Sequence, residues 1–173
     1  MSIFISYRRN DSAYIVDRLH DKLVVSFGRH LIFWDLDSIP YGRDYGEYTI
    51  ERIQASAIML VVIGPLWSSI AGPDGFRRID SQLDFVRKEI VAAFDYNLAV
   101  IPVLVGNAKL PLETDLPSEL KKLITLQAAI VRGGSDFHKD VDRLIFEVRC
   151  ILQSTKFQSN KKRVLPFGEL GMF

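Results

Sequence analysis

Three stretches of the chain carry side chains able to act on a small ligand. Ser6-Tyr7-Arg8-Arg9 offers a phenol and two guanidinium groups. Arginine forks suit phosphate, because they make paired, charge-assisted hydrogen bonds. Asp35 and Asp37 set two acids just before a turn segment that contains Gly42. Phe85 and Glu89 stand four residues apart in a segment with helical apolar spacing, so their side chains are neighbours on one side. A carboxylate at the edge of a buried face, one turn from an aromatic ring, can grip a sugar hydroxyl while the ring stacks on a flat heterocycle. Each stretch also has a structural reading. From spacing alone, Glu89 reads more readily as a boundary charge paired with Arg87 or Lys88. Asp35 and Asp37 read more readily as turn and capping residues. Arg8 and Arg9 are equally consistent with phosphate binding and with the rim of the fold.

Other chemistries find no pattern. His20, His30 and His138 are scattered without ligand spacing, so no metal is expected. The chain has no GxSxG, no GxGxxG and no P-loop, and its one cysteine, Cys150, has no plausible His partner. No cofactor is expected either.

Apolar periodicity places these residues on elements. Strands are predicted over 3–6, 31–34, 57–63, 98–105 and 125–131, and helices over 10–28, 45–54, 81–96, 117–123 and 137–152. Asn10, Asp11 and Ser12 are expected to cap the first helix, and Ser81 with Asp84 the helix 81–96. Gly28 is expected to end the first helix. Val86, Ile90, Ala93 and Phe94 form the expected buried stripe of helix 81–96, and Trp34 and Trp67 are expected in the core. Pro102 predicts an edge position or a local distortion for its strand. Strands and helices alternate, and the strands are continuous apolar runs, the pattern of a parallel sheet covered on both faces. The expected fold class is α/β, a flavodoxin-like three-layer sandwich with a five-stranded parallel sheet and helices on both faces. In such a sheet, ligands bind beyond the carboxyl ends of the strands where the strand order reverses, and the three stretches above converge there.

Composition sets the outer bounds. At 173 residues the chain fits one domain, expected over 1–153, with 154–173 as a linker or tail. The tail's basic cluster, Lys161-Lys162-Arg163, reads as solvated. The 22 Lys and Arg against 21 Asp and Glu leave a net charge of +1, which gives no global reason to expect nucleic-acid binding. The longest apolar run, 57–67, falls short of the ~18 residues a membrane span requires. Met1 leads almost directly into the first strand, so a cytoplasmic protein without a signal peptide is expected.

The same stretches carry a family likeness. IFISYRRN at 3–10 resembles the first box of TIR (Toll/interleukin-receptor) domains. DLDSIPYGRDYGEYTIERIQ at 35–54 resembles the second box, its BB loop and the helix that follows. VVIGPLW at 61–67, DFVRKEIVAAF at 84–94 and AVIPVLV at 99–105 continue the pattern, in the style of bacterial TIR proteins that cleave NAD. The resemblance implies a catalytic role for Glu89, with Phe85 at a position where relatives often carry Trp. It implies substrate contacts from Tyr7, Arg8, Arg9, Asp35, Asp37 and Gly42. It also implies NAD as substrate and self-association through the loop 36–43, and it leaves room for a sensor domain beyond the tail. The alternative within the family is a non-enzymatic adaptor that only joins other TIR domains. A phospho-accepting receiver would need an Asp after the third strand, where this chain has Gly64-Pro65.

Overall fold

The continuous apolar runs become the strands of one parallel sheet. The computed structural model describes residues 2–34 and 39–163, with side chains through residue 156. Its strands are β1 (Ser2–Ser6), β2 (Ile32–Phe33), β3 (Ser56–Ile63), β4 (Ala99–Val105) and β5 (Ala129–Val131). They lie in the order β2-β1-β3-β4-β5, all parallel. The helices are α1 (Arg9–Phe27), α2 (Tyr45–Gln54), α3 (Phe85–Asp95) and α4 (Phe137–Arg163). The flavodoxin-like three-layer architecture is as expected.

Strand alternation divides the core in two. Ile3, Ile5, Ile58, Leu60 and Val62 face α1 and α4, where they meet Ile15, Leu19, Val141 and Val148. Phe4, Met59, Val61 and Ile63 face the other way, toward Ile53 of α2 and Val86, Ile90 and Ala93 of α3. After β2 the chain crosses back over β1 to start β3. The switch point therefore lies at the carboxyl ends of β1 and β3, the position where such sheets open a crevice.

Several local expectations change. The side chains expected to cap α1 do not do so: Arg8 is its N-cap, with no side-chain hydrogen bond. The Asp11 carboxylate instead accepts from the backbone N–H groups of Gly64 and Leu66, each at 2.9 Å, tying α1 to the turn after β3. A Cβ on Gly64 would lie 2.4 Å from that carboxylate, so this close approach needs glycine. Gly28 ends α1 as expected, at φ +93°. Helix α3 begins at Phe85 rather than Ser81, and Ser81 Oγ accepts from Leu83 N in a local turn instead of starting the helix. The expected helix at 117–123 is a 3₁₀ segment, Ser118–Thr125, and the fifth strand covers only Ala129–Val131.

Pro102 lies in an interior strand, opposite Val61 of β3. Pairing with β5 begins only at Val103, so the residue without an N–H sits where the outer ladder has not yet started. Helix α4 runs on to Arg163, past the end of its apolar stripe, because helix propagation needs only backbone bonds once begun. No helix among the described residues is long and apolar enough to cross a membrane.

Candidate functional site

A pocket of about 240 Å³ opens at the switch point. Tyr7, Arg8 and Arg9 reach it from the turn after β1, and Phe33 and Trp34 from β2 and its end. Helix α2 contributes Tyr45, Tyr48, Thr49 and Arg52, and α3 contributes Phe85, Val86 and Glu89. Arg78 closes the side between them.

Glu89 is buried, with 9% of its surface exposed. The Ser6 hydroxyl, at the end of β1, donates to its Oε2 at 2.6 Å. Burial pushes its carboxyl up to about 7, and the nearby Asp84 adds to the rise, while the Ser6 bond and Arg8 oppose it. The carboxyl is thus held well above the usual carboxylate range. The boundary pairing with Arg87 or Lys88 does not form. Arg87 bonds to Glu119 and to the carbonyls of Ile79 and Asp80, and the Lys88 ammonium lies 5.8 Å from the Phe85 ring.

Phe85 stands at the pocket mouth, 46% exposed, edge-on to the Tyr45 ring at 4.6 Å. Tyr7 stacks on Trp34 at 6.3 Å, and Trp34 stacks on His20 at 4.2 Å. Trp34 therefore forms pocket wall as well as packing against the core, whereas Trp67 is fully core.

Arg8 lines the pocket but is committed elsewhere. Its guanidinium makes a two-pronged pair with Asp84, at 3.1 and 2.5 Å, and both side chains are almost fully buried. It also lies over the Trp67 ring at 5.5 Å. This pair occupies the Asp84 carboxylate, so Asp84 stands at the N-cap of α3 without a side-chain bond to its first turn. Arg9 is exposed at the rim. Gly42 is a turn residue: at φ +82° it follows Tyr41 in a tight turn closed by Arg43 N to Pro40 O at 3.2 Å, and it does not line the pocket. Asp35 and Asp37 lie outside the described residues.

Spacing pointed to Phe85 and Glu89, but it did not single out Ser6, Asp84, Arg78 or the wall formed by α2. The α2 signal was present in the sequence: Tyr45, Tyr48, Thr49 and Arg52 recur at i, i+3, i+4 and i+7, one face of a helix. Phe76, Arg77 and Arg78 divide in role. Phe76 is exposed, Arg77 pairs with Asp80, and Arg78 turns into the pocket, 3.8 Å from Asp84. Among the described residues no three His, Cys, Asp or Glu side chains gather as metal ligands do.

A parallel sheet of order 2-1-3-4-5, with a polar–aromatic pocket at its switch point and an acid on the helix after β3, defines a flavodoxin-like α/β domain. The sequence profile of the TIR domain family matches residues 3–145, and the chain belongs to that family. It is similar to the NAD(+) hydrolase tir-1 of Caenorhabditis elegans, with 24% identity over 124 residues. Those residues are 71% of this chain but only 12% of that protein. Its fold matches the TIR domains in the structure of the activated Roq1 resistosome directly recognizing the pathogen effector XopQ. That match has a TM-score of 0.62 at 15% identity, over 85% of this chain and 98% of that one.

Proposed function

We propose that this domain is an NAD(+) glycohydrolase, cleaving the bond between nicotinamide and ribose. The observation that carries the reading is Glu89, a buried carboxyl held by Ser6 in an aromatic pocket. The scissile bond joins a cationic pyridinium to the anomeric carbon. Nicotinamide departs with both bonding electrons as a neutral molecule, so no acid is needed to protonate it, unlike an ordinary glycoside. The remaining task is to hold the ribose and stabilise positive charge at the anomeric carbon. Ionised Glu89 does both, accepting from the ribose hydroxyls and facing the developing cation. Phe85 stacks on the nicotinamide ring. Water adding to the anomeric carbon and losing a proton gives ADP-ribose; attack from within the same molecule gives a cyclic isomer.

The pocket is smaller than the ~300 Å³ at the lower end for drug-sized ligands, so it suits one end of a dinucleotide. The rest of the substrate lies across the mouth. In an adjoining groove that shares Arg78 and Phe85 with the pocket, Phe76 and Leu83, about three-quarters exposed, supply apolar surface for a second protomer. Self-association through the loop 36–43 completes and activates the site in this reading, in a bacterial immune signalling role. The same exposed surface supports the second reading, an adaptor that assembles without turnover.

The deciding experiment incubates concentrated protein with NAD and separates the products. Free nicotinamide from the wild type, lost in Glu89→Gln, supports the enzyme, and the partner product distinguishes ADP-ribose from a cyclic isomer. Wild-type rates in Glu89→Gln would remove the catalytic assignment. No nicotinamide even under forced assembly favours the adaptor.

A further inference from the structure

Arg52 is a pocket cation that no carboxylate among the described residues claims. It projects from the same face of α2 as Tyr45, Tyr48 and Thr49. Its guanidinium carbon lies 5.0 Å from the Phe33 ring centroid and 4.6 Å from that of Tyr48. Among the described residues the buried Nε atom has no hydrogen-bond partner and the guanidinium makes no ion pair. The neighbouring arginines differ. Arg8 is paired with Asp84, Arg78 approaches the same carboxylate, and Arg43 pairs with Glu51 at 2.7 Å.

Two rings restrict this side chain and strip water from its faces, which leaves the edges of the guanidinium as the polar surface it can present. A planar fork held in place loses little freedom on binding, and its geometry matches phosphate oxygens in pairs. A neutral sugar or base gives no matching charge.

We propose that Arg52 is the phosphate-recognising residue of this pocket, so that the site selects a phosphorylated riboside over the bare nucleoside. The identity of the riboside rests on the NAD reading above; the anion site itself does not. Arg8, which the family resemblance offered for the phosphates, instead braces α3 through Asp84.

The test uses the full chain and binding by calorimetry, independent of turnover. The probes are inorganic pyrophosphate, nicotinamide riboside and nicotinamide mononucleotide. The wild type is expected to bind the mononucleotide about tenfold or more tighter than the riboside, as for a gained charge-assisted contact. Arg52→Met keeps the stem between the two rings. It is expected to lose that preference and pyrophosphate binding while riboside affinity and the thermal midpoint stay put. Arg52→Lys keeps the charge without the fork and is expected to fall between. Glu89→Gln is expected to retain pyrophosphate binding. The proposal is overturned if Arg52→Met binds pyrophosphate like the wild type, if riboside and mononucleotide weaken equally, or if the wild type binds no pyrophosphate. If Arg52→Met loses pyrophosphate while the wild type releases no nicotinamide from NAD, the anion site stands and the cleavage reading fails.

Discussion

The Ser6 hydroxyl donates a 2.6 Å hydrogen bond to Glu89, joining the last residue of β1 to the first turns of α3 across 83 residues of sequence. Ser6 is 1% exposed and Glu89 9% exposed, so the contact is shielded from bulk water. One neutral donor on a buried carboxyl fixes its direction without cancelling the cost of its charge. The group is thereby aimed into the pocket and poised to ionise near neutrality.

The ionised form of Glu89 is the one that stabilises a developing cation, so activity should follow its titration. For release of nicotinamide, kcat/KM is expected to rise with pH and level off above about 7. A rate independent of pH between 5 and 8 would contradict this role for Glu89.

The same titration opposes stability. Between the usual carboxyl value and about 7, the folded chain holds a proton that the unfolded chain has released. Stability from this group is therefore present at low pH and lost as pH rises through 7, by up to about 3 kcal/mol. Glu89→Gln is expected to match the wild type near pH 4 and to exceed it at pH 8, measured by denaturant midpoints at both pH values. Equal midpoints at pH 8 would show that the buried charge costs nothing.

Ser6→Ala removes a donor that favours the charged carboxylate. The rising limb of the pH–rate profile should move upward by about one unit, the shift expected from one charge-assisted bond. The volume change is small, so the fold should persist, as circular dichroism would verify. An unmoved limb would show that the bond only orients Glu89.

Arg8→Met leaves buried Asp84 with only Arg78, at 3.8 Å, as a cationic neighbour and should cost about 3 kcal/mol, the lower end for breaking a buried pair. Arg8→Met combined with Asp84→Leu removes both charges and should recover much of that loss. Chemical denaturation of the two single variants and the double variant measures the coupling. Additive losses would mean that the pair does not act as a unit.

Phe85 is half-exposed, so Phe85→Ala should change stability little while raising KM for NAD several-fold through the lost stacking face, worth about 0.5–1.5 kcal/mol. Phe85→Trp keeps an aromatic face and should hold KM at or below the wild-type value. Initial rates at fixed protein concentration separate KM from any change in assembly.

Much of this was legible in the residues. Unbroken apolar runs at 3–6 and 57–63 specified strands covered on both faces, and their alternation with amphipathic stripes specified the layered α/β fold. Val86, Ile90 and Ala93 were correctly placed on the buried face of α3, with Glu89 beside them and Phe85 one turn earlier. These are short-range properties: which side of a helix or strand a residue faces depends only on the pitch of its own element.

What the chain order could not reveal is which polar groups meet. Asp11, Ser81 and Asp84 all looked like helix caps, yet Asp11 serves the turn after β3, Ser81 closes a local turn and Asp84 answers an arginine 76 residues away. A cap and a distant partner compete for the same oxygen, and only the packed sheet decides the winner. The charge state of Glu89 was equally hidden, because desolvation belongs to the surroundings and not to the residue. By itself, the sequence determined the layered α/β class, the inward faces of its main elements and the family. The tertiary structure decided that Arg8 is spent on Asp84, that Arg52 is not spent on any carboxylate among the described residues, and that Glu89 lies buried beside Ser6, since each depends on strand order and helix packing across the switch point.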